Sequence, residues 1–141
     1  MTTASRGGRH AFTVFAMEIA GWVAAALIAV ITVFQLALAV GAPGGAMAWG
    51  GSYPGVLPTR LRLASALVAV FFYPPVAILV LDSAGVIDLG WNVSSMWMWV
   101  LAGLFALGAI ANFASRSKIE RIWGPVSLAL GVCCAVIAVG M

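Results

Sequence analysis

Four apolar stretches, each long enough to cross a bilayer as a helix, decide what this chain can fold into: residues Ala11–Val40, Leu61–Leu81, Ser95–Phe113 and Ile122–Met141. About 20 predominantly apolar residues in a helix cover the hydrocarbon core. Inside lipid the backbone finds no water, so each segment must satisfy its own N–H and C=O groups, and this selects helix. A membrane-spanning strand would be about 10 residues long and alternate apolar with polar, and these runs do not alternate. An oversized soluble core is excluded by charge: 8% of the 141 residues are charged, against about a quarter in soluble domains. The sequence therefore predicts an all-α fold, a polytopic transmembrane four-helix bundle forming a single domain over residues 11–141, with a polar basic tail at 1–10. The last run has no charged face and reads as a span, not a surface helix. Arg6, Arg9 and His10 precede the first run as the n-region of a signal peptide would. That run is about twice the length of an h-region, so it reads as a retained anchor.

Interfaces and orientation follow from the tryptophans and the bases. Trp91, Trp97 and Trp99 bracket the start of the third run, Trp123 opens the fourth and Trp49 lies in the first loop. Indole, with an apolar body and one donor, suits the headgroup level, so all five read as anchors. Of the seven basic residues, Arg60 and Arg62 close the first loop, and Arg116, Lys118 and Arg121 lie in the third. Four spans put these loops on one side, and the positive-inside rule assigns that side to the cytoplasm. The chain is thus expected to be multi-pass with both termini extracytoplasmic. These five bases are candidates to meet anionic lipid headgroups.

Within the spans, polar side chains are functional candidates by default. Glu18 is the one acid inside a run, on a stripe with Gly21, Ala25, Ala29 and Thr32. Small stripes are where membrane helices approach closely, so Glu18 is expected to face protein. It is a candidate proton or ligand group, or else an interfacial acid near the tail arginines. Thr32, Gln35, Tyr73 and Asn112 are further ligand candidates. Pro74 and Pro75 interrupt the second run, removing donors and crowding the preceding turn. Ser127, Gly131, Ala135 and Ala138 form a second small stripe, on the fourth run. Cys133 and Cys134 are adjacent and point in different directions on a helix, a poor disulfide pair. Metal-ligand spacing, a phosphate-binding glycine motif and a Ser-His-Asp set are all missing. No metal, cofactor or catalytic residue is assigned, and no nucleic-acid partner. The expected partners are the lipid bilayer and either a second copy or another membrane protein.

The stretch "AVGAPGGAMAWGGSYPGVLP" (Ala39–Pro58) holds six glycines and three prolines, with no charge. It is longer than a helical hairpin needs and too apolar, with Met47, Trp49, Tyr53 and Val56, for a free linker. It is expected to fold as a cap on the bundle, with Pro43, Gly44, Trp49, Gly50, Gly51 and Pro58 as its key residues. On these residues, with "GVLPTRLRLASAL" and "NFASRSKIERIWGPVSLAL", the chain resembles a group of small bacterial four-helix integral membrane proteins of unassigned function. The pattern covers Gly41–Gly45, Trp49–Gly51 and Leu57–Pro58, then Asn112, Ser115, Arg116, Ser117, Glu120 and Arg121. Gly44 stands where that pattern usually has tryptophan. The resemblance implies a four-helix membrane fold, a place in the bacterial inner (plasma) membrane and no enzyme activity.

Three functional readings follow. The first is a structural or accessory membrane protein, which needs only the small stripes and the low charge. The second is a proton-coupled transporter working as a dimer. The chain is similar to the small multidrug resistance family in size, in its four spans and in an early acid, Glu18; its long glycine-rich first loop and its biased charge depart from that family. The third is a lipid-handling membrane enzyme using the first and third loops, in which Glu120 is spaced to pair with Arg116 at i, i+4.

Overall fold

The computed structural model describes residues 3–141. Met1 and Thr2 of the basic tail lie outside the described residues. The chain forms α1 (Thr3–Ala39), α2 (Thr59–Leu67), α3 (Tyr73–Ser83), α4 (Ser95–Phe113) and α5 (Trp123–Gly140). A π-helical segment, Val68–Phe72, joins α2 to α3 without a break. Four helical segments are long and apolar enough to span a membrane: Gly7–Ala39, Thr59–Ser83, Ser95–Phe113 and Glu120–Gly140. This is an all-α transmembrane four-helix bundle, and the protein is a multi-pass membrane protein. The expected tail is not a separate element, because α1 runs through it from Thr3.

Pro74 and Pro75 explain the π segment. A proline ring collides with the carbonyl four residues back and offers that carbonyl no donor. Widening the turn before the pair lets the Tyr73 N–H reach the Val68 carbonyl, five residues back. The prolines then occupy the first turn of α3, where a missing N–H is harmless. Bundle and bilayer thus keep a continuous second span, bulged where a sharp kink was the alternative.

α1 is the central helix. The α2–α3 span packs along one side of it and α5 along the other. α4 packs chiefly on α5 and touches α3 only lightly. The core runs along this row through Ala24, Ile28, Val80, Met98, Leu130, Cys134 and Ile137, all essentially inaccessible. Small residues set the spacing. A side chain at Gly131 would begin 3.3 Å from the Ala102 carbonyl oxygen, so α4 and α5 approach through it. Gly21 lets α1 approach Ala84 at the end of α3. The small stripe on α5 thus lies at helix contacts, with Ser127, Gly131 and Ala138 buried. Both cysteines are buried free thiols.

The stripe on α1 is set differently from its expectation. The buried face runs through Ala20, Gly21, Ala24, Ile28 and Ile31, while Glu18 and Ala29 are exposed. A stripe traced through small residues alone follows the i+3/i+4 rows but is blind to larger apolar side chains such as Ile28, which fix the true contact face. Glu18 follows Met17, which packs with Thr13 against Gly140 at the far end of α5. It therefore sits at one end of the bundle facing outward, the position of an interfacial acid. Trp22 is also exposed.

Candidate functional site

The polar chemistry of the molecule gathers at the opposite end, beneath residues 40–58. Here the chain turns out of α1 at Gly41, whose φ of +99° suits glycine. The Arg62 Nε donates to the Ala39 carbonyl at 3.1 Å, placing a cation on the free carbonyls that end α1. The segment folds back on itself through the Gly45 N–H, which donates to the Gly55 carbonyl at 2.9 Å. A Cβ at Gly45 would stand 2.5 Å from the Tyr53 carbonyl oxygen, so only glycine fits this crossing. Leu38, Ala48 and Leu57 form a small core of their own, with Phe34, Tyr53 and Leu61 around it. The stretch is a folded cap, as its apolar content implied.

The cap is clasped by the loop between α4 and α5. The Ser117 hydroxyl donates to the Ala46 carbonyl at 2.6 Å, and the Trp123 indole N–H to the Met47 carbonyl at 2.9 Å. The Gly50 N–H donates to Glu120 Oε1 at 2.9 Å. The Ser115 hydroxyl donates to the other oxygen of the same carboxylate. Glu120 is only 6% exposed. It does not pair with Arg116: the residues around it form turns and a short 3-10 helix (Glu120–Ile122), so the i, i+4 spacing has no helix to act on. Gly51 comes so close to Ser117 that a Cβ would overlap it, and its φ of +66° also requires glycine. Trp49 takes a left-handed φ of +54°, held by its indole N–H donating to the buried Ser65 hydroxyl at 3.0 Å.

Under the clasp lies a cavity of ≈ 230 Å³. Of the ligand candidates named from sequence, Gln35, Tyr73 and Asn112 line it, and Glu18 and Thr32 do not. Glu18 is about 25 Å from Gln35 along the same helix, and Thr32 spends its hydroxyl on the Ile28 carbonyl at 2.8 Å. The Gln35 Oε1 is buried with no hydrogen-bond partner. The Asn112 side-chain amide donates to the Ser127 hydroxyl at 3.2 Å, linking α4 to α5. Trp123 stacks at a tilt on Phe34, with ring centroids 4.7 Å apart. It is therefore a packing and clasp residue.

Of the bases expected at lipid headgroups, Arg60, Arg116, Lys118 and Arg121 are exposed around the cap. Arg62 is half-buried and serves as the tie to α1. Arg121 also holds the loop, donating from Nε to the Ser115 carbonyl at 2.9 Å. Among the described residues no group of three or more His, Cys, Asp or Glu could hold a metal. The residues passed over as candidates were Glu120, Ser117, Trp123 and Ser127. The signal for the first two was present in "NFASRSKIER", whose Asn112, Ser115, Ser117 and Glu120 all enter this network. Comparisons with protein-family models, curated proteins and solved structures returned no match.

Proposed function

We propose that the protein is a non-catalytic accessory protein of the bacterial inner membrane whose working part is its capped, basic end. In this reading the cap faces the cytoplasm, both termini are extracytoplasmic, and the exposed bases around the cap engage anionic lipid headgroups or an acidic membrane-protein partner. The observation that carries it is the clasp. A 3-10 turn, a buried carboxylate and the Trp123 indole fix the cap against the α4–α5 connection, and the Trp49 indole ties it to α2; a loop that served only to connect two spans would not need such a construction. The kinship with the small bacterial group belongs to the same proposal, since its motif residues build both halves of the clasp. The transporter reading is weaker, because Glu18 faces outward and a single chain does not enclose it.

Two measurements test this. Cysteines introduced at the exposed Ser52 and Lys118, with a third at Asn92 on the opposite end, are probed in intact cells with an impermeant thiol reagent. Labelling at 92 alone is expected, and labelling at 52 and 118 instead would reverse the orientation. In nanodiscs, anionic lipid should raise the unfolding temperature of the wild type more than that of an Arg60→Gln, Arg116→Gln, Lys118→Gln variant. Equal stabilisation of both would remove the headgroup role.

A further inference from the structure

We propose that the cavity beneath the cap binds a small organic ammonium ion, with Glu120 as its counter-charge and aromatic side chains as its walls. The inference concerns the interior of the capped end and does not depend on the exposed bases.

It starts from an imbalance of charge. Glu120 is buried, and its two hydrogen bonds come from neutral donors, a backbone N–H and a serine hydroxyl. No lysine or arginine lines the cavity. Arg121 is tied into the same loop but donates to the Ser115 carbonyl, not to the carboxylate. A buried carboxylate without a cation is costly and is ordinarily matched by one.

The hydrogen-bonding inventory points the same way. The two indole donors at the cavity are spent, Trp49 N–H on Ser65 and Trp123 N–H on Met47, and one N–H of the Asn112 amide is given to Ser127. Acceptors are left over, namely the remaining lone pairs of Glu120 and the unpartnered Gln35 Oε1. Buried acceptors beside an uncompensated carboxylate favour a ligand that donates or is cationic. Phe34, Trp49, Tyr73 and Trp123 supply the walls, and aromatic rings attract organic cations, most strongly when these are desolvated. The volume of ≈ 230 Å³ exceeds the ~150 Å³ that holds a benzene and falls short of the ~300 Å³ where drug-sized pockets begin. A headgroup-sized ammonium fits this range.

An ammonium of this kind comes either from a zwitterionic lipid headgroup or from a soluble amine. The cavity lies at the cap end of the bundle, where α4 leaves the α2–α3 span largely uncovered, so both have a route.

The test uses the full-length protein in nanodiscs of phosphatidylglycerol alone, titrated with choline and, in parallel, with its neutral isostere 3,3-dimethylbutanol, at constant ionic strength. Tryptophan emission is the readout. Choline is expected to give a saturable change, and the neutral isostere at least about tenfold weaker binding, the discrimination expected of a charged partner. A Glu120→Gln variant, which can still accept from Gly50, should lose that discrimination. Equal responses to choline and the isostere, or no saturable response to either, would overturn the proposal on the wild type alone, whether or not the variant folds. The source is then read by native mass spectrometry after transfer to mixed lipid. Retention of one phosphatidylethanolamine or phosphatidylcholine by wild type but not by Glu120→Gln assigns a lipid headgroup. A choline response without such retention assigns a soluble amine.

Discussion

The two ends of this bundle are built on different principles. At the capped end, segments about 70 residues apart are joined by directed hydrogen bonds: Gly50 to Glu120, Ser117 to Ala46, Trp123 to Met47. In the loop between α3 and α4, at the other end, the described side-chain hydrogen bonds are short-range. Asp82 accepts from the Leu89 N–H at 2.8 Å and Asp88 from the Gly90 N–H at 2.9 Å, both exposed. The longer-range contacts there are apolar and close, Gly21 on Ala84 and Gly140 on Met17 and Thr13. One end is specified by partners, the other by the absence of side chains. Hydrogen-bonded contacts between distant segments fix a unique geometry and fail when one member is lost, because the partner is left buried and unpaired. Contacts between small groups fail only when something is added.

The comparison can be broken at several points. The largest effect is expected from Gly45→Ala, whose new methyl would face the Tyr53 and Gly55 carbonyl oxygens at 2.5 and 2.8 Å. Backbone cannot step aside as a side chain can, so a loss of about 2–4 kcal/mol is expected, read as a lowered midpoint in thermal or denaturant unfolding in detergent. Next comes Glu120→Ala, which strands the Gly50 N–H and the Ser115 hydroxyl, at about 2–3 kcal/mol. Glu120→Gln should cost less than half of that, since an amide oxygen still accepts. If the two cost the same, the clasp does not depend on the acceptor. At the opposite end, Gly21→Ala places its methyl 2.6 Å from the Ala84 Cβ, which lies at the end of α3 and has room to shift. About 1 kcal/mol is expected, with no change in Trp49 or Trp123 emission. The smallest effect is expected from Asp82→Asn, about 0.5 kcal/mol or less for an exposed contact. A larger cost there than at Glu120 would invert the distinction between the ends.

Much of the fold was legible. The third span was expected over Ser95–Phe113 from its unbroken apolar run and is found there, with Ser94 as a cap that accepts from the Met96 N–H at 3.3 Å. Leu-Pro before the second span and the glycine-rich cap were also readable, through turn chemistry and apolar content. The site was legible only in part. Gln35, Tyr73 and Asn112 stood out as polar groups within apolar runs, and all three line the cavity. Glu120 did not, because it lies among charged residues where an exposed ion pair is the ordinary outcome. Its true partner is 70 residues earlier, and nothing in local spacing points there. Glu18 stood out for the converse reason: an acid in an apolar run is conspicuous, and in the structure it is exposed and away from the cavity.

The separation of the clasp's halves also sets an order of events during synthesis. The Gly50 side of the cap leaves the ribosome 70 residues before Glu120. At about 5–20 residues per second that is a delay of roughly 4 to 14 s. Through that interval α1 and the α2–α3 span can already pair, while the cap waits open at the membrane surface. It closes only after α4 has crossed the bilayer and brought the loop that follows it back to the same side. The clasp of Glu120 and Ser117 on the cap thus registers that the first three spans have been inserted, and the seat of Gly140 on Met17 and Thr13 follows it.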